Sequence, residues 1–135
     1  MTHSVRRIEG IGSVYAHKLA AVGIQTTADL LVMCQTQAAR TATSALTGVS
    51  AARLERWMRM ADLMRLSEVG GRSARRLLAA GVNGLEELAK RSADELEGCL
   101  AKFAEPADVT LDRAFVARWI DRARAFHEKA RIDGA

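Results

Sequence analysis

The sequence predicts an all-α fold, a tandem helix-hairpin-helix of two units packed around a pseudo-twofold axis in one compact domain. Three observations predict it. A glycine-punctuated motif occurs twice at a constant offset of 58, pairing Ile8 with Leu66, Gly12 with Gly70, Ala16 with Ala74 and Gly23 with Gly81. Ala, Leu and Arg dominate, and Pro106 is the only proline, a composition that favours helix. No stretch alternates with period two for long enough to form a strand.

The elements follow in order. Ile8-Glu9-Gly10-Ile11-Gly12 reads as a tight turn between two short helices, the second running through Tyr15-Ala16-His17-Lys18-Leu19. Three pairs, Thr26 with Asp29, Asn83 with Glu86 and Ser92 with Glu95, each place a capping side chain three residues before an acid. Such pairs satisfy two orphan amides at a helix start. Gly23, Gly48 and Gly81 stand just past helical segments, where a left-handed residue ends a helix. Ser50 is the expected cap of a helix from Ala51 to about Leu66, and Thr110 that of a last helix from Leu111 to about Ala130.

The two long helices echo each other at an offset of 62. Leu54, Trp57, Met58 and Ala61 form one stripe, and Val116, Trp119, Ile120 and Ala123 the other. Both tryptophans are expected as core anchors. The organisation that follows is a domain over residues 4–130, with unit A at about 4–62, unit B at about 63–130, and a tail at 131–135.

With 135 residues, 49% apolar and 27% charged, the chain has the composition of a globular protein rather than a disordered one. Cys34 and Cys99 sit in apolar helical contexts and are expected as core thiols. Neither forms a C-x-x-C motif, and His3, His17 and His127 lie far apart, so no metal, cofactor or catalytic constellation is expected. His17 is expected on the polar side of its helix. No signal peptide opens the chain and its apolar runs are far short of a membrane span, so a soluble, cytoplasmic protein without membrane attachment is expected.

Charge is segregated. From Arg53 to Gly84 seven arginines face three acids; from Glu86 to Asp112 eight acids face three bases; the last helix is basic again. Such asymmetry suits a charged partner or self-association. Asp62, between Arg59 and Arg65 at helical spacing, is explained by intrahelical pairing.

The hairpins carry the expected chemistry. A Gly-hydrophobic-Gly turn lets backbone amides point outward at the start of the next helix, a seat for phosphate that reads no bases. The first copy offers Gly10, Ile11, Gly12, Ser13 and Lys18. In the second, Glu68 stands where the first glycine would be, but Gly70 and Gly71 remain and Arg72, Arg75 and Arg76 follow. These ten residues are the expected nucleic-acid contacts, with Arg72 and Arg76 as charged clamps.

The pairing of Ile8-Glu9-Gly10-Ile11-Gly12-x-x-Tyr15-Ala16 with Thr47-Gly48-Val49-Ser50 and Trp57-Met58-Arg59-Met60-Ala61-Asp62-Leu63-Met64-Arg65 resembles the DUF4332 family, bacterial proteins of tandem helix-hairpin-helix units without an established function as a class. The hairpins are also similar to those of the helix-hairpin-helix superfamily of repair and recombination proteins, which implies sequence-independent duplex binding. Glu9 replaces that superfamily's proline before Gly10. Non-specific binding of nucleic-acid backbone is therefore the expected function. The alternative is a protein-interaction or assembly module using the same hairpins, in which acidic and basic faces pair. The catalytic acid and base pocket of the hairpin glycosylases are not visible, and an enzyme is not expected.

Overall fold

The repeat in the residues is also a repeat in backbone hydrogen bonds. Ile8 donates to the Val5 carbonyl and Ile11 to that of Ile8; at the same offset, Leu66 donates to Leu63 and Val69 to Leu66. The Ala16–Gly12, Gly23–Ala20 and Ile24–Leu19 bonds recur as Ala74–Gly70, Gly81–Leu78 and Val82–Leu77. The computed structural model describes residues 2–134, with side chains for 2–129.

A 3-10 helix at Val5–Arg7 is followed by α1 (Ser13–Ala20), α2 (Thr27–Met33), α3 (Gln37–Thr47) and α4 (Ala51–Leu63), then by α5 (Gly71–Ala79), α6 (Leu85–Ala89), α7 (Ala93–Lys102) and α8 (Arg113–Gly134). The fold is all-helical; among the described residues the only extended pairing is an isolated bridge between Ser4 and Thr26. The chain forms two compact units, Met1–Ala74 and Arg75–Ala135.

Local chemistry sets the helix ends. Thr26 accepts from the Asp29 amide while the Asp29 carboxylate accepts from the Gln25 and Thr26 amides, each at 3.0 Å. Those two amides hold the Asp29 carboxyl below the usual carboxylate range. The second copy departs from the expected pairing: Glu87, not Glu86, accepts from the Asn83 amide at 3.0 Å. Counting 58 from Asp29 reaches Glu87, so the repeat carries the acid while the three-residue spacing misplaces it. Ser92 stands at the start of α7 but makes no side-chain capping bond. Ser50 caps α4 as expected, and Thr36 caps α3. Gly23, Gly48 and Gly81 adopt φ of 85°, 76° and 89° after their helices.

The last helix starts later and runs further than its sequence signals. Asp112, rather than Thr110, accepts from the Phe115 amide at 2.8 Å. Leu111 is buried, so the chain enters the core before the helix begins. A carboxylate at that position also meets the positive end of the helix.

Each unit has its own core. In the first, α2 and α3 pack on α4, which buries Leu54, Trp57, Met60 and Ala61. Met58, expected in the stripe, is only half-buried. The edge of Tyr15 meets Trp57 with ring centroids 5.1 Å apart. In the second, α6 and α7 pack on α8, which buries Val116, Trp119, Ile120 and Ala123. There Phe115 meets Trp119 at 5.3 Å, again edge-on. Trp57 is 3% exposed and Trp119 0%, so both are anchors. Replacing either with alanine should cost about 3–5 kcal/mol, as deletion of a packed aromatic does. Urea melts of the two variants check this; losses below about 1 kcal/mol would contradict the packing described.

Candidate nucleic-acid interface

The first turn is pinned from both sides. The Val5 amide donates to the Gln25 carbonyl at 3.0 Å, and Val5, Ile8 and Ile11 are buried. These three apolar side chains fix the base of the turn and leave Glu9, Gly10 and Gly12 exposed. Gly10 has φ +101°, a conformation that side chains rarely adopt; a Cβ there would meet only Trp57 Nε1 at 3.7 Å. Conformation, not space, requires the glycine. Gly12 is extended (φ −88°, ψ −172°) and precedes α1 without a side-chain capping bond. Ile11 leaves the expected set of phosphate donors, because its amide already donates to the Ile8 carbonyl at 3.1 Å.

Beside this turn lies a groove of about 460 Å³ lined by Arg6, Ser13, Val14, His17 and Lys18. Ser13 and Lys18 are expected members; Arg6 and His17 are additions. Ser13 and His17 are one helical turn apart, a signal present in the sequence, whereas Arg6 arrives from a separate element. Arg6 Nη1 donates to Ser13 Oγ at 3.3 Å. His17 is exposed, as expected, but on the wall of this groove. Lys18 also lies 6.0 Å from the Tyr15 ring centre, and Arg53 Nη1 donates to Tyr15 Oη at 2.5 Å. Positive charge therefore continues from the groove around α1 to Arg53.

The second copy uses its matching residues differently. Gly70 is open, with nothing within 4 Å of a Cβ placed there. Gly71 is the reverse: a Cβ would stand 2.1 Å from the Arg7 carbonyl oxygen and 3.6 Å from the Glu9 amide nitrogen. It is a packing glycine that brings the start of α5 against the first turn, rather than an exposed anion seat. Arg72 is exposed.

Arg75 and Arg76 depart from the expected exposed face. Arg76 is 4% exposed and donates to the Leu100 carbonyl at 3.0 Å and the Val109 carbonyl at 2.9 Å. Arg75 pairs with Asp108 at 2.8 Å and Glu105 at 3.4 Å. Asp108, its side chain 1% exposed, also accepts from the Glu105 amide at 2.8 Å. The Leu100 carbonyl, near the end of α7, also accepts from the Phe103 amide at 3.1 Å, and Arg76 gives it a second donor. These two arginines thus hold the segment between α7 and α8, and Arg76 is not available as a surface clamp.

The remaining candidates sort by burial and pairing. Asp62 pairs at 2.9 Å with Arg65, which lies just past the end of α4 rather than within the helix, and Arg59 pairs with Glu55 at 2.7 Å. Cys34 is buried, which pushes its thiol up, while Cys99 is only half-buried rather than in the core. Among the described residues no three His, Cys, Asp or Glu side chains group to hold a metal, and no helix is long and apolar enough to cross a membrane.

Net charge follows the two units. Met1–Ala74 contains nine Lys and Arg against five Asp and Glu, and Arg75–Ala135 eleven against eleven. The whole net charge of +4 lies in the first unit, with the groove.

Together these features define an all-helical protein with one twice-used turn and a basic first unit. The chain belongs to the DUF4332 family, described as a domain of unknown function, whose model matches residues 9–126. No curated protein and no solved structure matches it.

Gly10→Val should destabilise the protein by about 1–3 kcal/mol, since valine is strained at positive φ. Thermal melting checks this, and an unchanged melt would contradict the left-handed turn.

Proposed function

We propose that this protein is a binding module, not an enzyme, that holds nucleic-acid backbone without reading sequence, and that its two turns form a tandem helix-hairpin-helix. The observation that carries the reading is the basic groove beside the Gly10–Gly12 turn, in the unit that holds all of the net charge. Arg6 and Lys18 provide cations, Ser13 a hydroxyl, and the uncapped start of α1 oriented amides, a set that suits phosphate oxygens. None of these groups is arranged to read base edges, so affinity comes from the backbone. The exposed Arg72 adds a contact from the second turn. The buried Arg76 has no part in it.

A second reading, an interaction module, is favoured by one observation. A groove of about 420 Å³ between α2 and α4 is lined by Ala28, Leu31, Val32, Gln35, Met58, Asp62 and Arg65, and Val32 is 73% exposed. Its apolar floor suits a protein partner or a second copy better than a phosphate.

Polarisation titrations of a labelled duplex at several salt concentrations separate the readings. The nucleic-acid reading predicts roughly micromolar affinity at low salt, similar for unrelated sequences and falling steeply as salt rises. Arg6→Ala combined with Lys18→Ala should lower the salt slope by about two units, one for each lost contact. No binding at low salt, or a slope unmoved by the double change, would refute it and favour the interaction module.

A further inference from the structure

Resting on the nucleic-acid reading, we infer that the groove beside the first turn is a pocket for a single phosphate group whose grip is set by protonation of His17. The lining holds two permanent cations, Arg6 from the 3-10 helix and Lys18 from α1, together with Ser13, Val14 and His17. No carboxylate is among those lining residues. On the other flank of α1, the charged group is Arg53, hydrogen-bonded to Tyr15. An exposed imidazole changes charge between about pH 5 and 8. His17 stands on the wall of a groove otherwise lined by Arg6, Lys18, Ser13 and Val14.

The sign follows from the lining. A neutral His17 offers phosphate one ring N–H, whereas the imidazolium offers two donors and a third positive charge. A phosphate standing among the three favours the imidazolium. Phosphate and proton therefore bind cooperatively, each strengthening the other by the same factor. For a backbone phosphodiester, whose charge does not change in this range, binding is tightest in mild acid and relaxes as pH rises through the histidine range.

Two measurements test this on the full chain. In the first, the ring protons of His17 are followed by NMR against pH, in inorganic phosphate and in chloride of equal ionic strength. The titration midpoint should move upward in phosphate, and the movement should vanish when Arg6 and Lys18 are both alanine. A midpoint unmoved by phosphate overturns the inference, whatever a duplex does. In the second, duplex titrations are repeated at pH 5.5 and pH 8. The wild-type salt slope should steepen by about one unit in acid, the equivalent of one further contact. His17→Gln, checked for folding by circular dichroism, should show the same slope at both values, and His17→Lys should bind with the steeper slope at both. A pH dependence that survives in His17→Gln overturns the inference. A midpoint that moves in phosphate without any duplex binding supports the pocket and refutes the nucleic-acid reading alone.

Discussion

Because Gly71 has no side chain, the start of α5 can lie directly against the backbone of the first turn, so near that a Cβ would come within 2.1 Å of the Arg7 carbonyl oxygen. Much of the first unit depends on that approach. It braces a turn held otherwise by the buried Val5, Ile8 and Ile11 and by the Val5–Gln25 hydrogen bond. The residue before Arg7 is Arg6, whose guanidinium reaches Ser13 across the groove. A backbone contact from one copy of the repeat therefore lies one residue from a groove cation of the other.

The two copies share a backbone and divide its uses. The backbone hydrogen bonds of the turns recur at the same offset, so the chain traces the same turns twice. In the first copy the glycines leave an exposed turn flanked by Arg6, Ser13, His17 and Lys18. In the second, Gly71 is spent on close packing, and Arg75 and Arg76 are turned to Asp108 and to the carbonyls of Leu100 and Val109. Buried guanidinium groups need such partners, because an unpaired charge away from water is costly. Met1–Ala74, which contains both turns, carries the whole net charge, and Arg75–Ala135 carries none.

What the sequence made legible was local. Thr26 and Asp29 signal their reciprocal cap through spacing alone, and Gly10 its left-handed turn. Trp57 and Trp119 are recognisable as anchors because they lie on apolar stripes with helical period. The errors arise where a distant segment decides the outcome. Arg72 and Arg76 are one turn apart on α5 and look equivalent, yet Arg72 is exposed while Arg76 is buried on carbonyls 24 and 33 residues away. Arg6 joins the groove by crossing from another element, which helical periodicity cannot report. Thr110 is the expected cap of the last helix, but the helix starts at Arg113, after Asp112, whose carboxylate accepts from the Phe115 amide, and Leu111 is buried. Gly70 and Gly71 are adjacent and chemically identical, and only tertiary packing distinguishes them.

That last pair offers the most direct measurement of the account. Neither glycine has a positive φ; one faces open space and the other a carbonyl. Denaturant melts of Gly70→Ala and Gly71→Ala place the same methyl group at neighbouring positions. Overpacking predicts that Gly71→Ala loses about 1–3 kcal/mol, while Gly70→Ala stays within about 0.5 kcal/mol of wild type. Equal stabilities for the two variants would contradict the claim that the second copy braces the first turn through Gly71.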